Sequence, residues 1–168
     1  MAFANAIEAT PLSIWVRESG TIWAYPMIIF LHSVGLAIMV GLNVAIDLRL
    51  LGFAPKLPIA PLEKLYPIMW FGFWINAVTG VLLLIGDAGT MLIAPLFYFK
   101  IAVIAASVTI LIRIRRRVFH DPATAQNLIG RPGKTLAAVS LALWVVAITA
   151  GRLTAYIGPA VALKGINH

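Results

Sequence analysis

Four long runs of apolar residues set the pattern of hydrophobic and polar positions along the chain. They cover residues 21–46, 67–86, 95–112 and 135–157. Each run is long enough, or nearly so, to cross a hydrocarbon core, which takes about 20 helical residues. Because backbone groups in lipid must find hydrogen-bond partners within the spanning structure, we expect helices and not strands. The pattern predicts an all-α integral membrane protein.

Turn-rich segments separate these runs. Pro67 and Pro95 stand where helices should begin, and Pro26 lies in the first turns of its run, where a missing N–H costs least. The stretches GFAPKLPIAP and HDPATAQNLIGRPGK are typical of loops. Short connections place consecutive helices side by side in opposite directions. We therefore expect one domain over residues 1–168, folded as a four-helix antiparallel bundle.

The segment before the first run has the features of a short interfacial helix. Thr10 followed by Pro11 is typical of an N-cap and a first-turn proline. Trp15 lies close to charged residues, as expected of an anchor at a membrane surface. We predict a helix over residues 11–19, with a disordered tail as the alternative. The first residues, MAFANAIEAT, lack a basic start and a short apolar core, which argues against a cleaved signal peptide.

Composition and charge agree with a membrane location. The chain is 61% hydrophobic and 11% charged, with a net charge of +7. Nine of its thirteen basic residues fall near the first and third loops, and four fall on the other side. The nine are Arg49, Lys56, Lys64, Arg113, Arg115, Arg116, Arg117, Arg131 and Lys134. Because basic loops stay in the cytoplasm, we expect a bacterial inner-membrane protein with periplasmic N- and C-termini, and no nucleic-acid partner.

Polar residues inside the spans are the candidates for chemistry, since the chain has no cysteine, phosphate-binding loop or hydrolytic motif. An ionisable group within a span is costly and marks a site by default. His32 lies eleven residues into the first run, about 16 Å below its outer end. An imidazole at that depth can ligate a haem or metal, carry protons, or hydrogen-bond to a neighbouring helix. His120 and His168 lie outside the spans and should be solvated.

Two cations in the outer halves of the spans bear on the role of His32. Lys100 is about five residues into the third run, and Arg152 about five residues below the end of the fourth. They could clamp an anion, such as the two propionates of a haem that His32 holds. Alternatively, each side chain snorkels to the headgroups, with Asp87 in the second loop as a counter-ion.

A stripe of small and polar residues follows one face of the second run. Gly72, Asn76 and Gly80 recur every four residues, with Thr79 beside them. Such spacing commonly lets the backbone of a partner helix approach closely, and less commonly it accommodates the face of a porphyrin. In the first run, the residues near His32 on the helical wheel should face the bundle interior. They are Gly35, Met39 and Asn43.

Three segments carry a resemblance to known families: HSVGLAIMVGLNVAIDLRLL, the pair Thr79-Gly80 followed by leucines, and PLFYFKIAVI. They resemble an uncharacterised bacterial family of small four-helix membrane proteins and, more distantly, the haem-associated copper-resistance D and HemJ-type protoporphyrinogen-oxidase membrane proteins. Those proteins show a histidine in an early helix, a glycine about nine residues later, an arginine at its cytoplasmic end and a lysine opening a later helix. The residues that match in type and order are His32, Gly41, Arg49 and Lys100. The resemblance implies b-type haem held between helices and a redox role.

One departure from the HemJ-type pattern concerns the second iron ligand. In that pattern the helix opened by lysine carries a histidine about three turns on, whereas Leu111 lies near that place in this chain. A bis-histidine haem within one subunit is therefore not expected. The remaining options are a five-coordinate haem, a methionine ligand such as Met39 or Met69, a histidine from a neighbouring subunit, or no haem.

These observations lead to two hypotheses about function. The first is a small b-type cytochrome-like membrane subunit for electron transfer or quinone-associated redox chemistry, whether or not it is itself an enzyme. Its haem b would be held by His32 as metal ligand, with Asn76, Lys100 and Arg152 as further cofactor-binding residues. The alternative is a non-enzymatic structural or assembly subunit that binds partner helices through the Gly/Asn stripe. Both hypotheses expect other membrane subunits, or further copies of the chain, as partners.

Overall fold

The computed structural model describes residues 2–121 and 129–165, and the side chains of residues 3–121 and 129–153. Seven α-helices and no strand occur in this part of the chain, which confirms the all-α fold class. The helices are α1 (Ala2–Glu8), α2 (Pro11–Glu18), α3 (Tyr25–Leu51), α4 (Tyr66–Gly86), α5 (Ala88–Met91), α6 (Pro95–Ile114) and α7 (Arg131–Gly165). A 3-10 helix, Ala60–Leu65, leads into α4, and a π-helical turn, Arg115–Phe119, continues α6.

Four of these helices are long and apolar enough to cross a membrane, as the hydrophobic pattern predicts. The spans are Tyr25–Leu51, Ala60–Gly86, Pro95–Phe119 and Arg131–Leu153. Their boundaries differ from the expected ones at both ends of the first span. It begins at Tyr25 and not residue 21, and it ends only at Gly52, which has a φ of 108°. Helix α3 therefore includes the polar residues that follow residue 46.

The fourth span also differs in extent. Helix α7 begins at Arg131 and not at residue 135, and it continues to Gly165. Part of the predicted third loop, residues 122–128, lies outside the described residues, as does His168.

Helices α3 and α7 form the centre of the bundle. Helix α3 packs against α4 on one side and α7 on the other, and α7 also packs against α6. Helices α4 and α6 are not packed along their length, although the Tyr66 hydroxyl lies 3.4 Å from the Leu111 carbonyl oxygen. The two outer helices therefore flank a central antiparallel pair.

The buried apolar core is concentrated in one half of the bundle. It lies towards the end that carries Arg49, Arg113 and residues 115–117, which we call the arginine-rich end. The core residues are Met39, Val40, Ile46, Leu50, Ile59, Tyr66, Met69, Val103, Leu111, Ile114, Val118, Ala137, Trp144 and Ala147. At this end the Arg49 guanidinium donates from Nε to the Leu57 carbonyl (2.6 Å) and from Nη2 to the Pro55 carbonyl (3.0 Å). Arg49 thus fixes the loop after α3.

Three short helices cover the opposite end. The Thr10 hydroxyl accepts a hydrogen bond from the Ser13 backbone N–H at 3.3 Å, which confirms the predicted N-cap of α2. The Ser13 hydroxyl donates to the Ile85 carbonyl (2.9 Å) and thereby ties α2 to the end of α4. Helix α1 was not expected from the sequence. It is joined to α5 because the Glu8 carboxylate accepts a hydrogen bond from the Gly89 N–H at 2.7 Å.

Candidate functional site

His32 lies on α3 and is clamped against α4 by two hydrogen bonds. Its ring atom Nδ1 is 3.1 Å from the Thr79 hydroxyl oxygen, and its backbone carbonyl accepts a bond from the Asn76 amide at 2.8 Å. The ring also lies over Gly80, where a Cβ atom would come within 3.1 Å of the imidazole Cε1. Any larger residue at position 80 would crowd the imidazole. The surroundings of His32 are therefore built by one face of α4.

The hydrogen-bond network determines which nitrogen of the neutral imidazole carries the proton. The Thr79 hydroxyl oxygen lies 2.6 Å from the Ile75 carbonyl and 3.1 Å from the Asn76 carbonyl. A carbonyl can only accept, so the single hydroxyl proton of Thr79 points to one of these oxygens. Thr79 must then accept from Nδ1–H of His32. Nδ1 carries the proton, and Nε2 keeps a free lone pair.

The lone pair of Nε2 is available for chemistry. Nε2 of His32 forms no hydrogen bond within the parts of the chain that are described, and the side chain is only half-buried. A histidine that binds a metal typically has its other ring nitrogen held by a hydrogen bond, which fixes the tautomer and the ring orientation. Thr79 supplies that bond here. The arrangement can hold a metal through Nε2 or accept a proton there.

The Gly/Asn stripe of α4 faces α3 of the same chain. A Cβ atom at Gly35 would lie 2.7 Å from both the Asn76 nitrogen and the Gly72 carbonyl oxygen, so the two backbones are in direct contact. The contact thus agrees with the commoner of the two interpretations of this stripe, which is close packing of a neighbouring helix. The Asn76 amide donates a hydrogen bond to the His32 carbonyl, and α3 covers the part of the stripe that packs against it.

The two predicted cations differ in their relation to His32. Lys100 is half-buried near the start of α6, and its charge acts electrostatically on the imidazole of His32. Its ammonium nitrogen also lies 3.8 Å from the position of a Cβ at Gly151 of α7. Arg152 is exposed and makes no hydrogen bond or ion pair with the residues that the structure describes. The structure therefore brings together His32, Asn76 and Lys100, with Arg152 at the margin.

The depth of His32 along its helix differs from the depth expected from the sequence. His32 is seven residues from the beginning of α3, about 10 Å along the axis and not the 16 Å predicted from the longer run. Lys100 is five residues from the beginning of α6, or about 8 Å. Since both helices begin at the same end of the bundle, the two side chains lie at nearly the same level.

His32 is a single ligand. Among the described residues, no three His, Asp or Glu side chains come close enough together to hold a metal ion. A site built only from protein ligands usually needs three or four. A haem iron needs just one or two, because the porphyrin supplies four nitrogens. The residues around His32 therefore offer one protein ligand, which is fewer than a bare metal ion usually has.

A second polar cluster was missed from the sequence. Asn43, Asp47 and Ser140 are fully buried between α3 and α7, and Trp144 lies one turn from Ser140. Asp47 was left outside the first span because the apolar run was taken to end at residue 46. The signal that could have found it is the spacing of Asn43 and Asp47, which puts both on the face of α3 that also carries Gly35 and Met39.

The arginine-rich end carries a third group of charged and aromatic residues. The Arg115 guanidinium lies 5.3 Å from the centre of the Tyr66 ring, and its Nε is 3.2 Å from a Glu63 carboxylate oxygen. His120 lies beside the same carboxylate at 3.8 Å and is largely exposed. A cavity of about 180 Å³ at this end is lined by Tyr66, Trp70, Arg115 and His120, among others. His120 is thus a surface residue, as its place in the sequence indicates.

Comparisons with known proteins do not extend this description. No protein-family model matches the chain, and neither a curated protein nor a solved structure shows significant similarity to it. The resemblance to HemJ-type proteins therefore has no support from these comparisons, and the function must be inferred from the residues themselves.

Proposed function

We propose that this protein is a small membrane redox subunit in which the Nε2 atom of His32 would hold the iron of a b-type haem. The observation that carries the proposal is the contact between Nδ1 of His32 and the Thr79 hydroxyl, which assigns the ring proton to Nδ1. Thr79 accepts the Nδ1–H bond and leaves the Nε2 lone pair free within a membrane-spanning helix. A haem bound there would supply one-electron transfer between the oxidised and reduced states of its iron.

Lys100 and Asn76 have different parts in the proposed site. Lys100 would balance a propionate charge, because its half-buried side chain lies at nearly the same depth in the bundle as His32. Asn76 is assigned a positioning role, since its amide holds the His32 carbonyl. Arg152 remains a candidate for the second propionate, but its exposure supports this role less strongly.

The location follows from the same reasoning about charge. We propose that the protein resides in a bacterial inner membrane with the arginine-rich end in the cytoplasm, because nine of thirteen basic residues lie near the loops at that end. The His32 region then faces the periplasmic half of the membrane. Redox partners would be other membrane subunits, or further copies of this chain.

The absorbance spectrum of the purified protein tests this function. We expect the protein from haem-replete cells to show a Soret band that shifts and sharpens when dithionite is added. A correctly folded protein that has no such band, and that takes up no added haem, contradicts the proposal. That result would favour the structural or assembly subunit, whose partner would then need a surface other than the part of the stripe that α3 covers.

The proposed orientation gives a prediction about reporter fusions. A reporter fused after His168 should behave as periplasmic, and one inserted near Gln126 should behave as cytoplasmic, because basic loops resist translocation. Alkaline phosphatase and green fluorescent protein activities of the two fusions measure this directly. The opposite pattern would place His32 in the cytoplasmic half of the membrane.

The role of Lys100 gives a prediction about the haem midpoint potential. Removing a nearby positive charge favours the oxidised, more positive iron, so Lys100→Gln should lower the potential in a redox titration. Arg152→Gln should shift it in the same direction but less, since exposed charges are screened by water and salt. Lys56→Gln, at an exposed position in the loop at the other end, is the matched control. If all three variants titrate like the wild type, Lys100 is an anchor and not a propionate partner.

A further inference from the structure

The buried cluster between α3 and α7 contains more hydrogen-bond acceptors than donors. The Asn43 amide nitrogen donates to a carboxylate oxygen of Asp47 at 2.6 Å and to the Ser140 hydroxyl at 2.8 Å, which uses both of its hydrogens. Both donors of the Asn43 amide are therefore committed within the cluster.

Two oxygens of the cluster remain without a partner. They are Oδ1 of Asn43 and Oδ1 of Asp47, and both are fully enclosed. The indole N–H of the nearby Trp144 is also buried and unpaired. Unpaired buried polar atoms are rare in folded proteins, and each calls for an explanation such as an unseen water or ion. Three such atoms around one pair of helices indicate a binding site in this cluster.

The charge of Asp47 narrows the choice of ligand. None of the ion pairs between described residues includes Asp47, whose exposure is 0%. An isolated carboxylate in such a place is disfavoured by several kcal/mol in real proteins. A water molecule could donate hydrogen bonds to the two unpaired oxygens, but it would not balance the charge of the Asp47 carboxylate. A cation can interact with the oxygens and also balance that charge.

We infer that Asn43, Asp47 and Ser140 form a binding site for one exchangeable monovalent cation, either a proton on Asp47 or Na⁺ held by the side-chain oxygens. Oxygen atoms of carboxylate, amide and hydroxyl groups are the ligands that hard cations prefer. The site is independent of haem. Asp47 is fifteen residues from His32 on the same helix, or about 22 Å along its axis.

Few charged or titratable groups compete for Asp47. Helix α4 contributes Tyr66, which interacts electrostatically with Asp47 and on its other side with Arg115 and Glu63. Helix α7 contributes Ser140 and Trp144, which carry no charge. On α3 itself, Arg49 is committed to the loop carbonyls of Pro55 and Leu57.

The experiment measures thermal unfolding of the full chain in detergent, with NaCl exchanged for N-methylglucamine chloride at constant ionic strength and several pH values. If Na⁺ is the ligand, the wild-type midpoint should rise with NaCl and then saturate. If a proton is the ligand, the midpoint should be insensitive to Na⁺ and fall as the pH rises. Asp47→Asn should lose either response, whereas Asp87→Asn, exposed at the opposite end, should keep it.

A second measurement on the wild-type protein covers the case in which Asp47→Asn does not fold. Infrared spectra should contain the carbonyl band of a protonated carboxyl that disappears in alkali, for the proton, or in saturating Na⁺, for the metal. Wild-type protein that has no such band and no Na⁺-dependent stability overturns the inference. A folded Asp47→Asn protein that responds to Na⁺ and pH like the wild type overturns it as well.

Discussion

Replacing Gly35 by alanine should destabilise the protein more than the same change at any other glycine whose surroundings the structure describes. The new Cβ would lie 2.7 Å from the Asn76 nitrogen and from the Gly72 carbonyl oxygen. Both are backbone atoms inside a helix, so neither can move aside as a flexible side chain would. Overpacking typically costs about 1–3 kcal/mol, and we expect the upper end because α3 and α4 would have to separate. Thermal unfolding in detergent measures the effect.

Gly41 provides the matched control on the same helix. A Cβ atom at this position has nothing within 4 Å, because Gly41 faces outward. Gly41→Ala should therefore leave the unfolding midpoint unchanged or raise it slightly. Equal midpoints for the two variants would show that α3 and α4 are not in backbone contact. Separation of the helices should also disturb His32, whose partners Asn76 and Thr79 both belong to α4.

The fold could be predicted from the sequence because the membrane restricts the choices. Long apolar runs must be helical, and Thr10 with Pro11 marks the start of α2. The end of α3 was misplaced because hydropathy falls at Asp47, although the helix continues to Leu51. Helix formation depends on backbone hydrogen bonds. These bonds persist at Asp47 because burial of α3 against α7 compensates for the cost of the polar side chain. Helix α1 was missed because it packs against α5, which is distant in sequence and to which the Glu8–Gly89 hydrogen bond also joins it.

The candidate site was predictable only in part. The rarity of histidine in a span identified His32, and the spacing of small residues identified the face of α4 that packs against α3. What the sequence could not reveal is the register in which this face of α4 meets α3. That pairing decides that Thr79 holds Nδ1 and that Asn76 holds a carbonyl. The Asn43–Ser140 bond, between residues 97 positions apart, is likewise a product of tertiary packing.

The second large effect is expected at His32. Removing its imidazole as His32→Gly should abolish haem binding, because no other histidine lies within the described membrane-spanning part of the bundle. The fold should persist, since the variant loses one side-chain hydrogen bond, of a kind that contributes about 0.6 kcal/mol on average within membranes. His120→Gly is the control, because that exposed side chain lies at the arginine-rich end.

If Nε2 of His32 is the protein's haem ligand, free imidazole should restore haem binding to a variant that has no imidazole at position 32. Purified His32→Gly is incubated with haem in buffer with or without imidazole, unbound haem is removed by gel filtration, and the absorbance spectrum of the protein fraction is recorded. We predict no haem spectrum without imidazole and a recovered Soret band with it, because free imidazole can enter the half-open space that the side chain leaves. His32→Gly protein that keeps the wild-type haem spectrum without imidazole would contradict the claim.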